Sequence, residues 1–284
     1  MDPSKLPSVL PSKEPSSLPT LPCFTSESIV KAVKLFFENQ DSAETLYGEI
    51  GTWRTCEVTN LDGYSNTAND DQLFGNKKLF NEDISSWDIS SVTSLVNTFY
   101  YAEAFNGDIS TWDSSSVTSL KFTFARSKIF SGDLSAWDTS SVTSLHGTFY
   151  FAEAFNGDIS TWDTSSSTSL VKTFFGAKSF NGDISAWDIS SAILLEGIFM
   201  YTEVFNSNIM TWDVSSVKSL SSTFDTAISF NGDIFAWDVS SVLSFDYTFA
   251  YAEAFNQCLE WKLMEGAITT HMFTNSSGRI ELTC

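Results

Sequence analysis

The chain has 284 residues, is 42% hydrophobic and carries a formal net charge of -20 at pH 7. That is enough apolar chain for a substantial core. The charge disfavours nucleic acid and anionic membrane, which are bound through Lys and Arg, and leaves cations or basic protein surfaces as the natural partners.

Residues 1–22 hold all six prolines, and Pro3, Pro7, Pro11, Pro15 and Pro19 recur every four residues with Ser or Thr following each. Proline fixes φ and lacks a donor, so this tract is expected to be a disordered linker or stalk. It does not begin with a charged segment and an apolar run, so a signal peptide is not expected. No run of about 18 apolar residues occurs anywhere, so membrane insertion is not expected.

Residues 23–45 are assigned to an N-terminal capping helix, centred on 25–40. Ile29, Val30, Val33, Phe36 and Phe37 follow helical spacing, with Ser26 as the expected cap. Residues 46–79 form a degenerate first repeat. Trp53, Val58 and Leu61 keep the spacing of Trp87, Val92 and Leu95, and a polar insertion over Ser65 to Gln72 predicts a loop.

Residues 80–254 are seven 25-residue repeats without insertion. Phe80, Phe105, Phe130, Phe155, Phe180, Phe205 and Phe230 share one phase; Trp87, Trp112, Trp137, Trp162, Trp187, Trp212 and Trp237 share a second. The Phe99 series recurs equally strictly. Such a period signals units that bury their apolar faces only by stacking. Within one unit, Trp87 and Ile89 alternate with polar neighbours, predicting a short strand. Val92, Leu95, Phe99 and Ala102 follow helical spacing, predicting a short helix. The expected fold is an α/β solenoid with short parallel strands and short helices. An all-β solenoid is the alternative if the Val92 to Ala102 segment is not helical. Residues 255–284 are a C-terminal capping repeat, entered at Phe255. The Trp and Phe columns are expected in the core rather than as a stacking platform for ligand.

The pattern I-x-x-W-x-I-x-x-V-x-x-L-x-x-T-F-x-x-A-x-x-F, carried by Ile84 through Phe105, resembles the BspA-like leucine-rich-repeat surface proteins. A branch with units of F-N-x-D-I-S-x-W-D-V-S-S-V-T is similar to residues 155–168 and 230–243. The resemblance implies a leucine-rich-repeat-like solenoid, an extracellular or cell-surface location, and adhesion to a protein or cell-surface ligand. A monomer is expected.

No catalytic set is suggested: the two histidines, His146 and His271, are isolated, and no phosphate loop or zinc spacing occurs. The chain is therefore expected not to be an enzyme. Asp83, Asp108, Asp133, Asp158, Asp183 and Asp233 form one acidic column; Asp88, Asp113, Asp138, Asp163, Asp188, Asp213 and Asp238 form another. Stacked bare carboxylates repel, so these are expected to cap turns, with Ca²⁺ ligation by the first column as the alternative. A structural wall or matrix component, or ice binding through Asp and Thr columns, are the rival functions. Cys23, Cys56, Cys258 and Cys284 flank the array and suggest Cys23–Cys56 and Cys258–Cys284 bridges, which favour an oxidising compartment, with four buried free thiols as the alternative. Asn275-Ser276-Ser277 is a glycosylation sequon. Glu103, Lys128, Glu153, Lys178 and Glu203 alternate in sign down one column and are expected to line one exposed edge.

Overall fold

The computed structural model describes residues 22–63, 73–281 and 283. The proline tract before residue 22, the expected loop over Ser65–Gln72 and Cys284 lie outside the described residues.

Two helices, not one, precede the array: α1 (Ser26–Glu38) and α2 (Gln40–Tyr47). Thr25, rather than Ser26, caps α1. Its hydroxyl accepts from the Ser28 N–H while the Ser28 hydroxyl accepts from the Thr25 N–H, a reciprocal capping box. Ser26 is thereby free to bind the coil below, its hydroxyl accepting from the N–H groups of Thr59 and Asn60. Ile29, Ala32, Val33 and Phe36 are buried; Phe36 meets Trp53 at 6.3 Å and Phe37 meets Phe80 at 5.8 Å between ring centres. The helices thus cover an apolar end that would otherwise face water.

From residue 60 onward the chain bonds to itself one repeat away. Single-residue parallel bridges join Asn60 to Ser94 and then Ser119, Ser144, Ser169, Leu194, Ser219, Ser244 and Ile268 in succession. The ladder runs through the segment expected to be helical. Val92–Ala102 is a succession of tight turns instead, and no helix is assigned within 80–254. The N–H groups alternate in use. Thr98, Tyr100 and Ala102 donate to carbonyls three residues back, while Leu95, Asn97, Phe99 and Tyr101 donate to Ser119, Lys121, Thr123 and Ala125 of the next coil. A true helix would consume every donor internally and leave none to join the coils. The alternation places Asn97 and Tyr101 in the left-handed region, at φ of 57° and 61°.

The strand expected at Trp87–Ile89 is a turn as well. The Trp87 N–H donates to the Ile84 carbonyl and the Val92 N–H to the Ile89 carbonyl. The only multi-residue strands among the described residues close the array. There β1 (Cys258–Leu259) pairs in parallel with β2 (Arg279–Ile280).

The core is aromatic and continuous. Phe99 stacks on Phe105, which opens the following repeat, at 4.0 Å and on Phe124, its counterpart in that repeat, at 5.6 Å, and the same contacts recur along the array. The Trp column runs beside it, for example Trp162 to Trp187 at 6.1 Å. Gly157 marks a tight passage within the regular repeats, because a Cβ there would lie 1.9 Å from the Gly132 carbonyl oxygen.

Candidate interaction surface

The repeated polar side chains are turned to internal use. The indole N–H of each Trp in the seven repeats donates across the coils: Trp112 to the Ile84 carbonyl at 3.1 Å, Trp162 to Leu134 at 3.0 Å and Trp237 to Ile209 at 3.1 Å. Buried Thr123, Thr148, Thr173, Thr223 and Thr248 donate their hydroxyls to the carbonyls of Leu95, Leu120, Leu145, Leu195 and Leu220. Exposed Thr118 and Thr143 donate to the carbonyl of the preceding threonine in their column. The carboxamides of Asn81, Asn156 and Asn206 accept from the N–H of residues 106, 181 and 231. These buried indoles and hydroxyls are in this way satisfied by neighbouring coils.

Both acidic columns cap turns. In the first, Asp83, Asp108, Asp133, Asp158, Asp183 and Asp233 each accept from the N–H two residues on. In the second, Asp113, Asp138 and Asp163 accept from both the N–H and the hydroxyl of Ser115, Ser140 and Ser165. These serine hydroxyl and backbone bonds hold Asp113, Asp138, Asp188, Asp213 and Asp238 below the usual carboxylate range. For Asp108 the bonds from the Ser110 N–H and hydroxyl outweigh the repulsion from Asp83 and Asp133. Among the described residues no three His, Cys, Asp or Glu side chains converge as a metal site requires.

A group whose pKa is depressed by folding adds stability above its ordinary pKa, and that stability is lost as pH falls through the folded value. The melting temperature is therefore expected to hold down to about pH 4 and to drop below it. Thermal melts from pH 7 to pH 2 check this, and a rise on acidification would contradict it.

The alternating charge column lies on one edge. Glu103 pairs with Lys128 at 2.7 Å and with Lys78, one coil earlier, at 2.9 Å; Lys178 pairs with Glu203 at 3.2 Å and Glu153 at 3.8 Å. Bonds from Lys128 and Lys78 lower the Glu103 pKa. A Lys128→Glu, Lys178→Glu double variant is expected to melt below wild type at low salt, with the difference shrinking as salt screens the column. Equal melting at low salt would remove the column from the stability of the array.

Cys23 and Cys56 form a disulfide with a Cα separation of 5.6 Å. Cys258 is also disulfide-bonded. Its expected partner, Cys284, lies outside the described residues. Asn275 is exposed in the closing coil. His146 packs edge-on against Phe122 at 4.9 Å. Burial and then the charges of Lys121 and Lys172 push its pKa down, which leaves a neutral packing residue.

One edge escaped the sequence reading. Two left-handed columns run the length of the array, and one carries Tyr101, Arg126, Phe151, Gly176, Tyr201, Thr226 and Tyr251. The 50-residue period, aromatic at alternate coils, is legible in the sequence at Tyr101, Phe151, Tyr201 and Tyr251, but a column of mixed residue types does not announce a shared backbone conformation.

Coils that bond only their neighbours, built on one recurring side-chain set, define a tandem-repeat protein. The chain belongs to the family described as Mycoplasma protein of unknown function, DUF285, whose model matches residues 31–136, 68–187, 118–217 and 168–281 in overlapping windows. No curated protein and no solved structure matches the chain.

Proposed function

We propose that this protein is a non-enzymatic scaffold, a BspA-like solenoid that presents its exposed edges to a protein partner at the cell surface or in the extracellular space. One observation carries the reading. The side chains that recur at every coil are used by the fold itself, whereas many of the residues that change from coil to coil lie on exposed edges. Thus Trp162 and Thr148 are buried, while Ile129, Val204, Met210 and Phe235 are exposed where sister coils carry Ala104, Ser179, Ser185 or Ser160. A binding surface needs such variation and a catalytic centre needs convergence. Coil-to-coil parallel bridges without helices favour the all-β form of the solenoid over the α/β form. The Cys23–Cys56 bridge supports an oxidising compartment.

The test is saturable capture of a surface or matrix protein by the immobilised, oxidised chain, followed by identification and a binding isotherm with the purified partner. A defined partner with a measurable Kd is expected. Only non-saturable binding that vanishes with salt would refute the reading and favour a passive wall or matrix component.

A further inference from the structure

We propose that the cleft between Phe151 and Tyr201, over Gly176, is a seat for an arginine side chain of a basic partner protein. The inference rests on the scaffold reading and names the chemistry of one contact in it.

The protein already contains a filled version of the same seat. Tyr101, Arg126 and Phe151 occupy one left-handed column on three successive coils. Residues two coils apart are separated by roughly 10 Å, twice the spacing of hydrogen-bonded neighbours. The Arg126 guanidinium lies midway in that gap, 4.7 Å from the Tyr101 ring centre and 5.1 Å from that of Phe151, with Tyr150 at 5.8 Å. Its Nε is buried without a hydrogen-bond partner, so the ring faces are what hold this end of the side chain.

Two coils along, the arrangement repeats with a glycine at its centre, buried where the Phe151 ring leans over it. Phe151 and Tyr201 are the outer residues and Gly176 is the middle one. A cleft of about 430 Å³ opens there, lined by both rings, Gly176, Thr226 and the Lys178–Glu203 pair. Phe175 braces the walls edge-on, 5.1 Å from Phe151 and 5.3 Å from Tyr201. Tyr201 is 42% exposed, so the seat is reachable from solvent. Lys178 does not oppose a cationic guest, because Glu153 and Glu203 both pair with it and leave that group net negative. The chain as a whole, at -20, draws basic partners. A guanidinium suits the gap better than an ammonium: it is flat, weakly hydrated and stacks on both faces.

The test compares labelled hexa-arginine and hexa-lysine by fluorescence anisotropy at physiological salt, using the full oxidised chain. Wild type is expected to prefer hexa-arginine. Tyr201→Asn removes one wall with a residue that already occupies this column at Asn76 and Asn275. It is expected to weaken hexa-arginine about fivefold or more while leaving hexa-lysine unchanged. Gly176→Arg should fill the seat from within, as Arg126 does, and abolish the preference. An added Cβ there would meet the Phe151 ring at 2.5 Å, so that ring must shift, and Tyr201→Asn decides the matter if the arginine variant does not fold. Phe235→Ser, an exposed change to the residue found in sister coils, should leave both peptides unaffected. Equal affinity for the two peptides, or an arginine preference that survives Tyr201→Asn, overturns the proposal. So does binding of a neutral oligosaccharide in place of hexa-arginine. A natural partner captured equally by wild type and Tyr201→Asn would overturn the seat and spare the scaffold, whereas failure of wild type to capture any partner would strike the scaffold itself.

Discussion

Trp162→Ala is expected to lower the unfolding free energy by about 3–5 kcal/mol, the range for truncating a large buried aromatic residue. Trp162 is 2% exposed and sits mid-array, between Phe149 at 6.0 Å and Trp187 at 6.1 Å. Two losses combine. The cavity removes ring contacts to two coils, and the Leu134 carbonyl, now in a buried setting, loses its 3.0 Å indole donor. Because each coil contacts only its neighbours, the damage falls on two interfaces and should weaken the coupling between the halves of the array. Chemical denaturation followed by near-ultraviolet circular dichroism measures it. Trp162→Phe separates the two losses, since it restores much of the volume without the donor. Unchanged stability in Trp162→Ala, with loss of partner binding, would make the column a recognition surface instead of a core.

Removing the Cys23–Cys56 bridge is expected to cost about 3–4 kcal/mol, from the chain entropy released by opening a loop of this length. The cysteines are 33 residues apart, and the loop between them contains α1 and α2. The bridge works beside few backbone contacts: the Phe24 N–H donates to the Arg54 carbonyl at 2.7 Å, and Thr25 bridges to Glu57. A Cys23→Ser, Cys56→Ser variant should therefore lose hydrogen-exchange protection first at Ile29–Phe36, while the amides around Phe149 and Phe174 stay protected. Loss of the caps exposes Trp53 and Phe80, so self-association at high concentration should follow. Uniform loss of protection along the chain would instead show one cooperative unit, and unchanged protection would show that the helices hold without the bridge.

The limits of sequence reading are visible in single residues. The turns at the Asp columns are legible in the sequence because an aspartate followed by serine two residues on has a local reason to bend, whatever lies around it. The alternating Glu and Lys series likewise predicted contacts that depend only on register, although Lys78 extends it one coil earlier. Val92, Leu95, Phe99 and Ala102 misled, because spacings of three and four suit a helix and also suit the three-residue turns found here. Periodicity reports which side chains face inward. It does not report whether the intervening N–H groups bond within the coil or outside it.

The sequence by itself determined the repeat length, the aromatic core, the cap at the N-terminal end and the polar groups available to tie coil to coil, since each follows from spacing along one chain. Only the tertiary structure decided the course of the backbone within a coil. Whether Leu95, Asn97, Phe99 and Tyr101 donate internally or to the next coil depends on acceptors 24 residues away, at Ser119, Lys121, Thr123 and Ala125. That choice sets the left-handed residues, and they in turn bring Tyr101, Arg126 and Phe151 onto one edge and set Gly176 in the same column between Phe151 and Tyr201. No local propensity favours a left-handed tyrosine or phenylalanine; the inter-coil hydrogen bonds impose it.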